Sequence, residues 1–235
     1  GVLGEMEERG FTPSRALIRS LSRYLRYSSG RVDNAYRILE TSSDPQDEAK
    51  VTLASLNAIL SAAAELPDVN RAFSIFEDFE LHGIEPNYDS YSYLLESLSK
   101  DLKLNRKGCN EKIMHAPELL DAAAAILSLM EEKGIPRCQH CVEQYAMLLY
   151  NAGRLDAATE FLLDSMERGD PVNNRVIIKM SKSNALAGNF EVARLMANRT
   201  SEPFAHLFHR IDEIEKKLKQ EEYSDENKST YSDES

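Results

Sequence analysis

The stretches LLDAAAAILSLMEEKGIP (119–136), GRLDAATEFLLDSMERGDP (153–171) and GNFEVARLMANRTSEP (188–203) decide the fold of this chain. Ala123, Ala158 and Ala193 hold the same place in the three stretches and follow one another at intervals of 35 residues. A fixed period of this length is typical of proteins built from stacked repeats. Each unit of such a protein packs only on its neighbours. The period therefore predicts an all-α solenoid made of helical hairpins.

Similar helical pairs can be followed along most of the chain. Between residues 53 and 87, apolar residues recur at helical spacing on both sides of a short turn, and Gly83 with Pro86 ends the second helix. On this basis we predict repeats at about 14–52, 53–87, 88–138, 139–173 and 174–203. The third is longer because the segment 101–117 is inserted between its two helices, and we expect this insertion to project from one edge of the stack.

The two ends of the chain differ from the repeats. Residues 1–13 predict the second helix of a repeat whose first helix is absent, so we expect the chain to be the C-terminal part of a longer protein. Residues 204–222 have an amphipathic pattern that predicts a capping helix. Residues 223–235 are rich in Ser, Asp and Glu and have little apolar surface to bury, so we expect an acidic, disordered tail.

Charge and cysteine content limit the classes of function. The net charge of −11 opposes a simple nucleic-acid-binding surface, although residues 221–235 alone carry −5 and the basic residues elsewhere are grouped. Three cysteines in a chain of 235 residues indicate a reducing compartment rather than a disulfide framework. No apolar run approaches the length of a membrane span, so no membrane partner is expected.

The stretch LNAILSAAAELPDVNRAFSIFEDFELHGIEPN (56–87) resembles a pentatricopeptide repeat. It has an N-x-(I/L)-(I/L) entry, an alanine that opens the second helix, an F-x-x-(F/M) exit and a G-I-x-P turn. The same marks are found in EMEERGFTP (5–13) and YNAGRLDAATEFLLDSMERG (150–169), and the resemblance covers about residues 1–200. Tetratricopeptide repeats are the neighbouring family, but they have a period of 34 and a pattern that includes tryptophan, which this chain lacks.

This resemblance implies a right-handed superhelix whose first helices line the concave face. In many family members that face binds single-stranded RNA in mitochondria or chloroplasts, about one base per repeat. The resemblance also implies that one side chain early in the first helix and one in the loop before the next repeat read each base. These are Asn57 and Asn87 in the second repeat, a pair that suggests a pyrimidine, and Ser92 with Cys138 in the third. Serine can contact a base, whereas cysteine is not a usual reader.

Two groups of basic residues are spaced to lie on one face of a first helix, where they could contact phosphates. They are Arg15, Arg19, Arg23 and Arg26 in the repeat at 14–52, and Arg175, Lys179 and Lys182 in the repeat at 174–203. Tyr24 and Tyr27 adjoin the first group and could stack on bases. The alternative for both groups is an ordinary solvated helix face.

Other repeats depart from the family pattern. The early position is Glu143 in the fourth repeat and Ile178 in the fifth, and neither suits a base edge. Because only one repeat has a pair of residues suited to a base edge, we expect weak or assisted RNA binding. This segment alone is not expected to select a particular RNA sequence. The alternative function is a protein scaffold inside an organellar ribosome or transcription complex, which the acidic balance, these two positions and the insertion at 101–117 favour.

An enzyme is not expected. Adjacent carboxylates such as Glu131 and Glu132 diverge from a helix instead of converging on one point. The sequence also has no glycine-rich phosphate loop, nucleophile elbow or His/Glu metal motif. We therefore expect no cofactor.

The cysteines allow one further interpretation. Cys138 and Cys141 form a C-x-x-C motif with His140 between them, and with Cys109 and His115 they could hold zinc. A complete zinc site usually has two such half-sites, and this chain has one. We therefore favour reduced thiols at the start of a helix over a metal site.

Overall fold

The computed structural model of the chain describes residues 5–6, 9–11, 15–25, 30–35, 51–66, 68–108, 116–200 and 205–232, which are helices and short turns with no strand among them. Residues 30–35 are helical, and the helices with defined bounds are α1 (Arg15–Leu25), α2 (Leu53–Glu65), α3 (Val69–Leu81), α4 (Tyr88–Gly108), α5 (Ala116–Glu132), α6 (Gln139–Asn151), α7 (Leu155–Glu167), α8 (Asn174–Leu186), α9 (Phe190–Asn198) and α10 (Ala205–Ser232). The prediction of an all-α fold is confirmed.

The periodic alanines are buried residues of the second helices. Ala123, Ala158 and Ala193 are fully buried, and so is Ala72 at the equivalent place in α3. A methyl side chain at this position allows the second helix to approach its neighbours closely. The 35-residue period of the sequence therefore reflects a small buried residue that recurs in the second helices α5, α7 and α9.

The second helices end in the same way. Gly83, Gly134 and Gly169 follow the last turns of α3, α5 and α7, respectively, and have positive φ angles of 63°, 65° and 81°. After Gly134, the N–H of Ile135 donates to the carbonyl of Met130 over 2.8 Å, which satisfies a carbonyl that the helix leaves open. Only glycine adopts this backbone conformation without strain, so the turn residues mark the helix ends.

The chain divides into two compact units, and the first comprises residues Gly1–Ala152. Its first helices α1, α2, α4 and α6 pack side by side in chain order. The helix α3 packs against α2 and α4, and α5 packs against α4 and α6. Leucines at helical spacing, such as Leu56 and Leu60 in α2 and Leu94 and Leu98 in α4, are fully buried between the helices.

The second unit comprises Gly153–Ser235. Within it, α8 contacts α7, α9 and α10, and α9 contacts α10. An apolar cluster joins α8, α9 and α10; its members are Ala185, Ala193, Ala197, Leu207, Ile211 and Ile214. The C-terminal helix α10 thus covers the apolar faces of the hairpin α8–α9, as expected of a capping helix.

Two predicted boundaries differ from the structure. The first helix of the third repeat does not stop at residue 100, because α4 continues to Gly108 and buries Leu102 one turn beyond Leu98. Part of the predicted insertion at 101–117 is therefore helix; residues 109–115 lie outside the described residues. The helix α10 extends to Ser232, past the predicted end at 222, because elongating an established helix needs no new nucleus.

The predicted helix at 1–13 is described only in part. Residues 5–6 are helical, and the N–H of Phe11 donates to the carbonyl of Met6 over 2.8 Å beside Gly10, whose φ is 78°. This is the same turn that ends α3, α5 and α7. Among the described helices, none combines the length and the apolar character that crossing a membrane requires.

Candidate nucleic-acid interface

The two predicted base-reading residues of the second repeat meet in the structure. The Nδ2 of Asn57 donates to the Oδ1 of Asn87 over 3.3 Å, and the hydroxyl of Ser90 donates to the Oδ1 of Asn57 over 2.7 Å. The Oδ1 of Asn87 also accepts the N–H groups of Asp89 and Ser90, each over 3.1 Å. Asn87 therefore caps the start of α4 while it holds the amide of Asn57.

The two amides of this pair differ in what remains available to a ligand. Asn57 is 5% exposed, and both ends of its amide are hydrogen-bonded. Asn87 is half-buried, and its Nδ2 makes no hydrogen bond to the part of the chain that the structure describes. The group that could donate to a base is therefore the Asn87 amide nitrogen, with Asn57 as its support.

The predicted base contact of the third repeat, Ser92, is buried in the structure. Ser92 occupies the fifth position of α4, as Asn57 does in α2, but its side chain is fully buried and its hydroxyl donates to the carbonyl of Asp89 over 2.8 Å. A short hydroxyl that bonds to its own helix does not reach a ligand. At the corresponding positions of the later repeats, Glu143 and Ile178 are both half-buried.

The arginine group of the first repeat is described in part. Arg15, Arg19 and Arg23 lie on α1, and Arg23 is exposed; the structure does not describe the side chains of Arg15 and Arg19, and Arg26 lies outside the described residues, as does Tyr27. Tyr24 is 62% exposed, and the guanidinium of Arg31 stands 4.5 Å from its ring centre. One face of this ring is thus covered by a cation.

The second basic group lies on α8. Arg175, Lys179 and Lys182 are all exposed, and their spacing of four and three places them along one side of the helix. The N–H of Arg175 donates to the Oδ1 of Asn173, which caps α8. Three cations on one helix face can follow a phosphate backbone.

Acidic residues that the sequence analysis missed form a stripe on α7. Asp156, Glu160, Asp164 and Glu167 line a cavity of about 520 Å³ with Thr159, Leu163, Asn184 of α8, Asn189 before α9 and Val192 of α9. Arg168 pairs with Asp164 over 2.6 Å. The signal in the sequence was the spacing of these acids by four, four and three, which places them on one face of a helix. This face repels phosphate.

A chain of charged side chains joins three consecutive first helices of the first unit. Lys100 on α4 pairs with Glu65 on α2 over 3.0 Å and with Glu96 over 2.7 Å, and Glu96 accepts from the Nε2 of His140 on α6 over 2.8 Å. Burial alone would raise the pKa of the Glu96 carboxyl, but the hydrogen bond from His140 and the charge of Lys100 lower the pKa from 4.5 to about 2. Glu96 therefore remains ionised between the helices.

The C-x-x-C motif lies at the start of α6. Cys138 is the residue that caps the helix, and Cys141 is fully buried in its first turn. Among the described residues, no group of three or more His, Cys, Asp or Glu side chains could hold a metal ion. Cys109 and His115 of the alternative zinc site lie outside those residues.

The sequence of the N-terminal third has a family match. Residues 1–79 match the family model described as "Pentatricopeptide repeat-containing protein". No significant match was found among curated proteins.

Solved structures share the fold over most of the chain. The pentatricopeptide repeat protein PPR10 from maize has a TM-score of 0.58 and 17% identity, over 90% of this chain and 27% of that chain. PPR10 in complex with an 18-nt psaJ RNA element has a TM-score of 0.59 and 17% identity, over 91% of this chain and 28% of that chain. The PPR domain of Arabidopsis thaliana protein-only RNase P 1, in complex with tRNA, has a TM-score of 0.58 and 14% identity, over 86% of this chain and 98% of that chain.

The present chain spans about a quarter of the length of the PPR10 chains that it resembles. At these identities the structural likeness concerns the fold alone, whereas the family match concerns the sequence itself. Residues 1–79 thus match the pentatricopeptide repeat model in sequence, and the chain shares the fold of pentatricopeptide repeat proteins.

Proposed function

We propose that this chain is a non-catalytic protein that binds single-stranded RNA in organellar RNA metabolism or translation. The observation that carries the proposal is the Asn57–Asn87 pair, in which one buried amide holds a second amide whose nitrogen is left available at the start of a first helix. Proteins of similar fold were solved in complex with an 18-nt RNA element and with tRNA, which supports RNA as the ligand.

In this proposal the Asn87 Nδ2 donates to an acceptor on a base edge, and the resemblance suggests a pyrimidine. Basic side chains contact phosphates; these are Arg19, Arg23 and Arg26 in the first unit, and Lys179 and Lys182 in the second. The net charge of −11 opposes a polyanion, so binding is weak or is assisted by an organellar protein or ribonucleoprotein partner. A mitochondrion or a chloroplast is the proposed location.

The substitution Asn87→Asp tests the base contact. Aspartate retains the acceptor that caps α4 but has no amide nitrogen to donate. We expect affinity for pyrimidine homopolymers at low salt to fall about tenfold with unchanged urea stability, since one base contact provides about 1–3 kcal/mol of discrimination. Asn198→Asp, at an exposed position on α9, is the control. Equal affinities of Asn87→Asp and the wild type for all homopolymers would contradict this contact.

The phosphate contacts are tested by salt dependence. Replacing Arg19, Arg23 and Arg26 together by Ala should lower the affinity and reduce the slope of log K against log salt by about 2, since each phosphate contact on a single strand contributes about 0.7. The control triple variant replaces Arg210, Lys216 and Lys217, which are exposed on α10. A slope that stays the same in a filter-binding titration would refute the arginine group.

The acidic stripe on α7 favours a second candidate function. Asp156, Glu160, Asp164 and Glu167 border a cavity that also contains apolar side chains, an arrangement suited to a basic protein segment rather than to RNA. The chain would then act as a scaffold subunit of an organellar ribosome or transcription complex. A scaffold of this kind would co-purify with stoichiometric protein partners and show no affinity for homopolymer RNA at low salt.

A further inference from the structure

The two cysteines at the start of α6 are held almost in contact. Their Sγ atoms are 3.4 Å apart, and no disulfide joins them. The N–H of Cys141 donates to the Sγ of Cys138 over 3.4 Å, and the Sγ of Cys141 lies 3.7 Å from the carbonyl of Tyr88 on α4. A disulfide requires about 2.0 Å between the sulfurs and Cα atoms about 4.4–6.8 Å apart, a separation that residues three positions apart in a helical turn satisfy.

We propose that Cys138 and Cys141 form a reversible thiol–disulfide site. The roles follow from burial, since Cys138 is half-buried and can meet a small reactant, whereas Cys141 is fully buried. Cys138 is therefore the attacking cysteine, and Cys141 is the resolving cysteine. The proposal concerns the thiols alone and is independent of RNA binding.

The reactant is a low-molecular-weight disulfide such as glutathione disulfide. The Cys138 thiolate attacks one sulfur of this oxidant, forms a mixed disulfide and releases one glutathione thiolate. The Cys141 thiolate then attacks the Cys138 Sγ, which forms the Cys138–Cys141 bond and releases the second glutathione thiolate. The two protons of the cysteine thiols pass to the two released thiolates, so one disulfide is reduced for each disulfide formed.

The position at a helix start favours this chemistry. The Cys138 Sγ faces a backbone N–H of the first turn, and the N-terminus of a helix of 13 residues stabilises negative charge on sulfur. The first turn of α6 also contains His140, whose imidazole bonds to Glu96 on α4, so the disulfide would form beside a contact between two first helices.

The test uses the full chain with Cys109→Ser, which leaves only the two cysteines of the motif. The protein is equilibrated in glutathione buffers of increasing oxidising strength with a chelator, quenched with acid, alkylated and measured by intact mass. We expect both thiols to disappear together without a retained glutathione adduct. Two thiols that still alkylate in the most oxidising buffer, or an adduct that persists, would overturn the proposal.

Single variants in the same background test the assigned roles. Cys141→Ser should stop at a mixed disulfide of Cys138 with glutathione, because the resolving sulfur is gone. Cys138→Ser should accumulate far less adduct, because Cys141 is buried. Equal adduct formation in the two variants would contradict the assignment of Cys138 as the attacking residue.

The unfolded chain is the control for the role of the fold. In urea the two sulfurs are no longer held 3.4 Å apart, so their effective concentration falls. We expect the native chain to reach half-oxidation at a concentration of glutathione disulfide about tenfold lower than the urea-unfolded chain. Easier oxidation of the unfolded chain would show that α6 resists the disulfide, and the proposal would fail.

Discussion

Residues at the start of the first helices cap these helices, and for one of them, Asn87, we also propose a base contact. The side chain at the N-cap position of four first helices accepts a backbone N–H of the following turn; these residues are Thr52, Asn87, Cys138 and Asn173. Asn87 and Cys138 are also the loop positions that the family resemblance assigns to base reading. Capping a helix therefore limits which residues can occupy the proposed base-reading position, and in Asn87 the capping atom, Oδ1, differs from the atom proposed to contact a base, Nδ2.

Asn57 provides a test at this scale. Its amide is 5% exposed and bonds to Asn87 and Ser90, so Asn57→Ala would leave buried polar groups with fewer partners. We expect the free energy of unfolding to fall by about 1–3 kcal/mol in urea denaturation. Asn198→Ala, at an exposed position of α9, should change it little. Similar small changes in both variants would mean that the Asn57 bonds contribute nothing to stability.

At the scale of elements, the first helices of the first unit form the row that the repeats predict. Leucine and alanine make up most of the buried residues of α2 and α6, whereas α4 buries leucine, tyrosine and serine. Burial of this apolar surface stabilises the row. The charges of Glu65, Lys100, Glu96 and His140 cross the same row. A mostly buried carboxylate there is stable only while it keeps its cationic and hydrogen-bonding partners.

The contacts of Glu96 with Lys100 and His140 should make the free energy of unfolding depend on pH. The folded pKa of Glu96 is about 2, below the ordinary value of 4.5, so its contribution is present above pH 4.5 and is lost as the pH falls toward 2. The difference in unfolding free energy between the wild type and Glu96→Gln should shrink across that window, by up to about 3 kcal/mol. Urea midpoints at several pH values measure it.

Other carboxylates also titrate in this window, so the comparison needs a matched variant. Glu132→Gln, at an exposed position of α5, should follow the wild-type pH dependence. A difference between wild type and Glu96→Gln that stays constant from pH 5 to pH 2.5 would show that the contacts with His140 and Lys100 do not stabilise the ionised carboxylate.

At the scale of the whole molecule, a row of hairpins ends in an apolar face that must be covered. In the second unit α10 covers it, with Leu207, Ile211 and Ile214 packed on α8 and α9. Outside this apolar face, Arg194 of α9 pairs with Asp212 over 2.8 Å and also contacts Glu215, both on α10. The exposed ion pairs orient the helix, while the buried side chains provide the stability.

The cap is tested at Ile211, which is fully buried. Ile211→Ala should lower the free energy of unfolding of the second unit by about 2–5 kcal/mol, because it removes buried methyl groups and leaves a cavity. Hydrogen exchange of the α8 and α9 amides should become faster. Lys217→Ala, at an exposed position of the same helix, is the control. Unchanged exchange in Ile211→Ala would mean that α10 does not stabilise the hairpin.

The sequence by itself determined the repeating helical hairpins, the glycine turns and the capping helix. These depend on residues close together in the chain: an alanine every 35 positions, apolar side chains at helical spacing, and glycines where the backbone takes a positive φ. Such local preferences act in the same way wherever they occur, so they can be read in order along the chain. The pair Asn57 and Asn87 could also be predicted, because the family resemblance defines its two positions within the repeat.

Only the tertiary structure decided what the side chains of the interface can do. The burial of Ser92, the use of the whole Asn57 amide inside the protein, and the 3.4 Å between the sulfurs of Cys138 and Cys141 depend on packing and on side-chain rotamers. The extension of α4 to Gly108 depends on a buried place for Leu102. Spacing in a sequence places a residue on a helix, but the neighbouring helices decide whether its polar atoms face a ligand or each other.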